Sequence, residues 1–402
     1  MSHKGLTVDR TSERLQQISD VVVSELCKAE RPLVVFGGGL RASTERSQIH
    51  HIMEAFGVPC QRTRSAIDLF SDESVLSAGR PGAYGQKFAN ELLYRSDHIV
   101  FLGCRLGETF TGRRTSVFAP DATKSVISLE IDTQFHLQEM RKLTVFREDL
   151  RAILPRLEAS IARFKPTTSR SWLESCLHTK SQELEKLRWN SAHRDKNWDL
   201  YSAINALSRL MPDGCIIMID GGLVTHVVNQ VFETKSDQQI LLPSGQESPL
   251  FAVPALVGVM SSRSPRPMVA ITTTTALAKD ADLIDRIHNA LPQNQSAHIF
   301  AMETSHYSTW ELAKGSLYPL TGPQSLDSKR RADHLRPPST VNYIRIPRPI
   351  DMSQITSNVF WQRKGLTICE IALEPTLRVH PRPRFQIAAD GSWIQHPLND
   401  ME

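Results

Sequence analysis

The sequence predicts two doubly wound, parallel α/β domains, and three observations support this fold class. Short apolar strands alternate with helix-like segments in both halves of the chain. Several strands run directly into glycine or aspartate, as at Gly37 and Asp220. The strands are apolar throughout, which is typical of a parallel sheet that is covered on both faces. At 402 residues the chain also exceeds one ordinary hydrophobic core, so two domains are expected.

In the first half, the elements follow from apolar runs and from helical spacing. Residues 11–29 are amphipathic, and Pro32 ends that helix just before a strand at 33–36. The other first-half elements are helices at 44–56 and 86–95 and strands that start near 60, at 98 and at 126. In the second half, a helix at 199–212 precedes strands at 215–219, 268–271, 298–302 and 365–371.

These elements divide the chain into five segments. We expect an N-terminal helix at 1–28, a first domain at 29–165 and a second domain at 199–375. Between the domains, residues 166–198 carry many charged side chains and a thin apolar stripe, which indicates a charged helical linker. Residues 376–402 contain several prolines and are expected to form an extended C-terminal tail.

Composition excludes several classes of protein. The 47 basic and 43 acidic side chains leave a charge of only +4, so nucleic acid is not expected as a partner. No apolar run is long enough for a membrane span, and no membrane association is expected. The N-terminus lacks the apolar core of a signal peptide. Six scattered cysteines indicate reduced thiols, so we expect a cytoplasmic protein.

Glycines after the first strand have the form of a nucleotide-binding turn. Gly37-x-Gly39-x-x-Ala42 follows a strand and opens a helix, where backbone N–H groups can hold a pyrophosphate. That fingerprint also needs an acidic residue at the end of the next strand, where Arg62 stands instead. A tight turn with no ligand explains the glycines equally well, and an ordinary dinucleotide dehydrogenase is disfavoured.

Polar side chains follow three strands of the second domain. Asp220 comes after the strand at 215–219 and is either a ligand-binding residue or a helix cap. The threonines at 272–275 follow the next strand and either hold a phosphate or simply suit a strand end. Glu303 follows the strand at 298–302, and the nearby Ser305 and His306 do not by themselves indicate a hydrolase.

Taken together, these residues resemble the thiamine-diphosphate enzymes of the acetolactate synthase type. The resemblance to the middle domain of that family rests on Gly37-Gly38-Gly39, Gly57-Val58-Pro59, Gly82-x-x-Gly85-x-x-x-Ala89-Asn90, Gly103-Cys104-Arg105 and Glu130-Ile131-Asp132. The resemblance to the diphosphate-binding domain rests on Asp220-x-Gly222, Val253-Pro254-Ala255-Leu256-Val257-Gly258 and the segment 390–401. The first domain is therefore expected to be a middle domain, and the second a diphosphate-binding-like domain.

The resemblance also implies two departures from the family. The pyrimidine-binding domain, with its activating glutamate, is expected to be absent. Where the family has a magnesium-binding aspartate between two glycines, this chain has Thr274 between Thr273 and Thr275. Glu303-Thr304 stands where the family has two asparagines, and Leu250 replaces a further glycine. Magnesium prefers carboxylate and phosphate oxygens in octahedral geometry, so these replacements oppose cofactor binding.

What remains is a vestigial diphosphate pocket in the second domain. Its candidate residues are Asp220, Gly222, Thr274, Thr275, Glu303 and Thr304. No catalytic residue or metal ligand is assigned, and no bound cofactor is expected. Thiamine diphosphate with magnesium remains an alternative, as does FAD or another nucleotide in the middle domain. The candidate residues for a nucleotide are Gly38, Gly82, Arg105 and Asp132.

The leading functional hypothesis is a degenerate, acetolactate-synthase-like protein that acts as a subunit, scaffold or homologue of altered function. Homodimers or homotetramers are expected, because the family assembles in this way. The alternative is a carbon–carbon lyase or transferase for a 2-keto acid, completed by a separately encoded subunit with a pyrimidine-binding domain. The sequence does not identify a substrate.

Overall fold

The computed structural model divides into two compact units. One consists of Met1–Leu184 and Pro381–Glu402, and the other of Glu185–His380. The structure describes residues 10–128, 137–192, 199–243, 248–279, 281–303, 341–373, 380–387 and 393–401.

The first unit is built around a parallel sheet whose described strands have the order β2-β1-β3-β4-β5. The strands are β1 (Pro32–Phe36), β2 (Cys60–Arg62), β3 (His98–Leu102), β4 (Thr123–Ile127) and β5 (Leu143–Phe146). The helices are α1 (Arg10–Cys27), α2 (Arg46–Phe56), α3 (Lys87–Arg95), α4 (Glu108–Thr111), α5 (Leu150–Phe164) and α6 (Arg170–Ala192). Apolar clusters cover both faces of this sheet, as the apolar strands predicted.

Two segments expected to lie outside the first domain contribute to its core. Helix α1 packs against α5 and buries Val22 and Leu26 in one apolar cluster. The first part of α6, within the expected linker, buries Trp172 and Cys176 in the cluster on the opposite face. The indole N–H of Trp172 donates to the carbonyl oxygen of Pro32 at 3.0 Å. The thin apolar stripe of 166–198 is therefore, in its first half, a core-facing stripe.

The second unit is also built around a parallel sheet, with the order β10-β11-β9-β8-β6-β7 among its described strands. The strands are β6 (Ile216–Ile219), β7 (Gln239–Leu241), β8 (Met268–Thr273), β9 (Ser296–Glu303), β10 (Asn342–Ile346) and β11 (Gly365–Ala372). The helices are α7 (Leu200–Leu210), α8 (Leu223–Val231), α9 (Ala252–Ser261), α10 (Thr274–Lys279), α11 (Ala281–Ala290) and α12 (Asn358–Gln362). The predicted fold class, two parallel α/β domains, is confirmed.

The described part of the C-terminal segment, which was expected to form an extended tail, contains two paired strands. Strands β12 (Phe385–Ile387) and β13 (Trp393–Gln395) pair as an antiparallel hairpin. Beyond the hairpin, Leu398 is buried, and its N–H donates to the hydroxyl of Tyr94 at 3.2 Å. Lys87 donates to the carbonyl oxygen of Met401 at 3.0 Å. These bonds dock the end of the chain on α3 of the first unit.

In the part of the chain that the structure describes, no helix combines the length and the apolar character that crossing a membrane requires.

Candidate functional site

The carboxyl edge of the second sheet has the topology of a ligand site. Strands β7 and β8 lie on opposite sides of β6, so the strand order reverses there. Open α/β sheets bind ligands in the crevice at such a reversal, beyond the carboxyl ends of the strands. Asp220 follows β6 and Thr274 follows β8, so two of the predicted pocket residues lie at this crevice.

Asp220 acts here as a helix cap. Its side chain is almost completely buried. One carboxylate oxygen accepts the backbone N–H groups of Phe251 and Ala252, at 2.9 and 2.7 Å, at the start of α9. The other oxygen accepts the hydroxyl of Thr272 on β8. The carboxylate therefore joins β6, β8 and α9, and it already has three donors of the chain itself.

Backbone conformation accounts for the glycine at position 222. Gly222 has φ 72° and ψ −135° and immediately precedes α8. L-residues rarely adopt positive φ values, so a glycine is favoured there with or without a ligand.

The threonines after β8 are engaged in a strand-to-helix junction. Thr273 is the last residue of β8, and its hydroxyl accepts the N–H of Ala276 at 3.1 Å. Thr274 begins α10 and is buried, whereas Thr275 is half-buried. A phosphate at this position requires free N–H groups in the first turn, and Thr273 already satisfies one of them.

Glu303 lies at the end of β9 in a cluster of charged and polar groups. The nearest guanidinium nitrogen of Arg345 is 3.5 Å from its carboxylate. Arg345 also donates to the buried Glu370 at 3.2 Å, and the hydroxyl of Tyr343 donates to Glu370 at 2.6 Å. Burial, followed by the nearby Glu370 carboxylate, raises the pKa of Tyr343. Thr304 lies outside the described residues.

As far as the structure describes the candidate pocket, the side chains of Asp220, Thr274 and Glu303 do not fit a magnesium diphosphate group. Magnesium needs one or two free carboxylates and open space for phosphate oxygens. The carboxylate of Asp220 is satisfied by Phe251, Ala252 and Thr272, and the guanidinium of Arg345 beside Glu303 repels a divalent cation. Within the described ranges, no group of three or more His, Cys, Asp or Glu side chains is placed to hold a metal ion.

The glycines after β1 are explained by close packing at the corresponding crevice of the first sheet. The N–H of Gly37 donates to the carbonyl oxygen of Leu102 at 2.8 Å, and that of Gly39 to the carbonyl oxygen of Gly103 at 3.0 Å. A Cβ atom on Gly37 would lie 2.1 Å from the Gly103 oxygen, and one on Gly38 would lie 2.6 Å from the Ser65 hydroxyl. The loop after β1 therefore lies too close to the loop after β3 for a side chain at Gly37, and a side chain at Gly38 would press on Ser65 in the loop after β2.

The other candidate nucleotide-binding residues are not joined into one site by the described contacts. Gly82 has φ +128°, and its N–H donates to the side chain of Asn90 at 2.8 Å. Asn90 donates in return to the carbonyl oxygen of Gly82 at 3.0 Å. Arg105 is exposed, and no hydrogen bond links it to Gly38 or Gly82 in the residues that the structure describes. Asp132 lies outside those residues.

A buried pair of arginines at the carboxyl edge of the first sheet was not predicted. Arg62 and Arg80 are both completely buried, and both form an ion pair with Asp72. Burial lowers the pKa of Arg62 to about 10. In the sequence, the signal for this pair is an arginine at the end of the otherwise uncharged strand β2. Its partner Asp72 comes ten residues later, in a loop.

Comparison with known proteins identifies relatives of this chain. Residues 20–157 match the family "Thiamine pyrophosphate enzyme, central domain". The chain is 23% identical over 250 residues to the probable acetolactate synthase large subunit of Methanocaldococcus jannaschii. It is 25% identical over 251 residues to the acetolactate synthase isozyme 2 large subunit of Escherichia coli. Over 107 residues it is 35% identical to the acetolactate synthase of Mycobacterium leprae.

These matches cover only part of each protein. The first two span 61% of this chain, and 42% and 43% of the respective relatives. The third spans 27% of this chain and 17% of the relative. The chain therefore corresponds to less than half the length of the curated relatives that it matches.

Proposed function

Since this chain is an acetolactate synthase-like member of the thiamine pyrophosphate enzyme family, we propose that it functions without magnesium-bound thiamine diphosphate. In this proposal it is a degenerate homologue that serves as a non-catalytic subunit or scaffold. It has two of the family's α/β domains, the middle domain and the diphosphate-binding-like domain. The diphosphate pocket of the second is vestigial.

The observation that carries this proposal is the engagement of the pocket by the chain's own groups. The carboxylate of Asp220 caps α9, and the hydroxyl of Thr273 caps the first turn of α10. Thr274 stands in the place of the metal-binding aspartate and is buried. A neutral hydroxyl is a poor substitute for a carboxylate as a magnesium ligand. The groups that would bind the cofactor are thus either replaced or already satisfied.

A subunit role requires partners, and we propose self-association into a homodimer or homotetramer. Two of the relatives are named large subunits, which supports membership in an assembly. We place the protein in the cytoplasm, because all six cysteines are free thiols and a reducing compartment keeps them so. Neither nucleic acid nor a membrane is part of this proposal.

One observation supports a second candidate function, that of a carbon–carbon lyase or transferase for a 2-keto acid. Glu303 carries a half-buried carboxylate at the carboxyl edge of the second sheet. Among the residues that the structure describes, it is the acidic residue that could approach a metal there. A separately encoded subunit would then supply the pyrimidine-binding domain. Arg345 opposes this candidate by neutralising Glu303. FAD binding has less support, because packing already accounts for Gly37 and Gly38.

Titration calorimetry with thiamine diphosphate and magnesium chloride tests the proposal. We expect no saturable heat with the purified chain, while the Escherichia coli relative serves as the positive control. Turnover of a 2-keto acid is measured as a second readout. Both measurements are repeated in the presence of any pyrimidine-domain protein encoded nearby. A micromolar dissociation constant for the chain alone contradicts the proposal, and turnover that needs the second protein favours the lyase or transferase.

A further inference from the structure

A single carboxylate lies between two buried guanidinium groups at the carboxyl edge of the first sheet. Arg62, the last residue of β2, donates to one oxygen of Asp72. Arg80 donates to the other oxygen at 2.6 Å. Both arginines are 0% exposed, whereas the side chain of Asp72 is 15% exposed. The carboxylate thus enters from the solvent side and meets two arginines that the fold holds beneath the surface.

The loop that carries Asp72 wraps around Arg62. Besides Asp72, Arg62 donates to the carbonyl oxygens of Ile67, at 2.9 Å, and Phe70, and its guanidinium stacks on the Phe70 ring at 4.5 Å from the ring centre. The end of the loop then pairs alongside β2, where the N–H of Arg62 donates to the carbonyl oxygen of Gly79 at 3.1 Å. Residues 63–79 therefore close over the edge of the sheet, and we call them the latch loop.

Helix α6 holds the latch loop from outside. The ammonium group of Lys180 donates to the carbonyl oxygens of Asp72 and Ser77 at 2.7 and 2.9 Å. Lys180 thus fixes the backbone of the latch loop, while the Asp72 carboxylate faces the two guanidinium groups of Arg62 and Arg80. The environment of the Asp72 carboxylate is therefore strongly suited to a negative charge.

One donor of this arrangement remains unused. Among the described residues, the buried Nε–H of Arg62 has no hydrogen-bond acceptor. A buried donor without an acceptor costs free energy, and such groups commonly mark the position of a water or an ion.

We propose that Arg62 and Arg80 form an oxyanion-binding clamp, and that Asp72 occupies this clamp as an internal ligand. Planar guanidinium groups pair with carboxylate and phosphate oxygens by short, charge-assisted bonds. A small anion with either group meets the same donors when the Asp72 carboxylate is removed. In the intact chain Asp72 keeps the clamp closed and the latch loop folded. This inference concerns the first unit and does not depend on the proposed loss of cofactor binding by the second.

Chemical rescue of an Asp72→Ala variant tests this proposal. Thermal unfolding of the full chain is followed in sodium formate, sodium phosphate and sodium chloride at equal ionic strength. In chloride we expect the variant to unfold at a lower temperature than the wild-type protein. Formate should restore stability in a saturable way, so that at ten times the dissociation constant the unfolding equilibrium constant falls about elevenfold. The wild-type protein should respond equally to formate and chloride, because Asp72 fills the clamp.

Glu73→Ala is the matched control, because Glu73 is the exposed carboxylate next to Asp72 in the same loop, whereas the recorded ion pairs of Arg62 and Arg80 are with Asp72. We expect no saturable response to formate or phosphate from this variant. Equal responses of the two variants, or a response of Asp72→Ala no greater than in chloride, overturn the proposal. A response to formate alone identifies a carboxylate site, and a response to phosphate identifies a site that also takes phosphate.

A variant with a smaller polar side chain covers the case in which Asp72→Ala does not fold. Asp72→Ser removes the carboxylate, leaves space for formate and keeps a hydroxyl that can form a hydrogen bond. We expect its refolding yield from urea to rise several-fold in formate relative to chloride. Equal yields in the two salts count against the clamp.

Discussion

The carboxylate of Asp220 accepts the backbone N–H of Ala252 at 2.7 Å, so a side chain at the end of β6 caps the first turn of α9. The same carboxylate accepts the hydroxyl of Thr272 from the neighbouring strand β8. The crevice where the strand order of the second sheet reverses is therefore closed at its base by a hydrogen-bonded aspartate. Asp220 stands where a ligand-binding residue is expected, but in this structure its carboxylate stabilises the fold.

Replacing Asp220 should therefore cost stability. In Asp220→Ala, two buried donors and one partly buried donor lose their acceptor, and we expect the free energy of unfolding to fall by about 3 kcal/mol. Thr272→Val removes only one of these hydrogen bonds and keeps the shape of the side chain, so about 1 kcal/mol is expected. Urea unfolding monitored by circular dichroism measures both. A loss below 1 kcal/mol for Asp220→Ala means that the carboxylate does not have this structural role.

The glycine at position 37 should not tolerate a side chain. A Cβ atom there would lie 2.1 Å from the carbonyl oxygen of Gly103, which is a backbone atom and cannot rotate away as a side chain can. We expect Gly37→Ala to destabilise the protein by about 1–3 kcal/mol, as overpacking does. Gly107→Ala is the control, because Gly107 has φ −71° and no atom within 4 Å of the added Cβ. Its effect should stay within about 0.5 kcal/mol. Equal effects of the two substitutions contradict the tight approach of the two loops.

His298 should make stability depend on pH. It is completely buried beside Phe360 and Trp361, and burial lowers its pKa to about 4. The unfolded chain binds a proton at this histidine below a pKa of about 6.5, whereas the folded chain does not until about 4. The contribution of the neutral histidine is therefore fully present above pH 6.5 and is lost as the pH falls to 4, by up to about 3 kcal/mol.

The variant His298→Phe isolates this effect, because it keeps an aromatic ring and removes the titrating group. Unfolding free energies are measured from pH 7 to pH 4 for both proteins. Between pH 6.5 and pH 4 the wild-type protein should lose more stability than the variant. Parallel pH profiles mean that folding does not lower the pKa of His298.

The sequence predicted the strands that are buried on both faces and missed most of those at the sheet edges. Strands β1, β3, β6, β8, β9 and β11 are apolar runs, and each was expected near its observed position. Strands β5, β7 and β10 were not expected, and each lies at the edge of its sheet. Edge strands are covered less completely, so they include polar or half-exposed residues such as Thr144, Gln239 and Arg345. A local apolar run is then too short to reveal them.

The candidate site was only partly predictable, for a related reason. The apolar run before Asp220 and the topology of open sheets place this residue at the carboxyl edge. Its role depends on the N–H groups of Phe251 and Ala252, which come from a distant segment of the chain. In the same way, nothing local to Arg62 or Arg80 indicates that both pair with Asp72. Tertiary contacts decide between a ligand-binding and a structural role, and local sequence does not contain them.

Restoring the family's ligand types should not restore cofactor binding. The double variant Thr274→Asp with Thr304→Asn supplies a carboxylate and an amide oxygen, which are suitable magnesium ligands. We expect no magnesium-dependent affinity for thiamine diphosphate, or only millimolar affinity, in titration calorimetry. Position 274 is buried at the first residue of α10, so a new carboxylate there must be desolvated. The hydroxyl of Thr273 still accepts the N–H of Ala276, and β-branched residues remain where the backbone must approach a phosphate.

The matched control is Thr274→Asn with Thr304→Asn, which makes a similar change in size without adding the carboxylate. Micromolar, magnesium-dependent binding by the double variant but not by this control means that the rest of the pocket is intact, and it favours the lyase or transferase over the non-catalytic subunit.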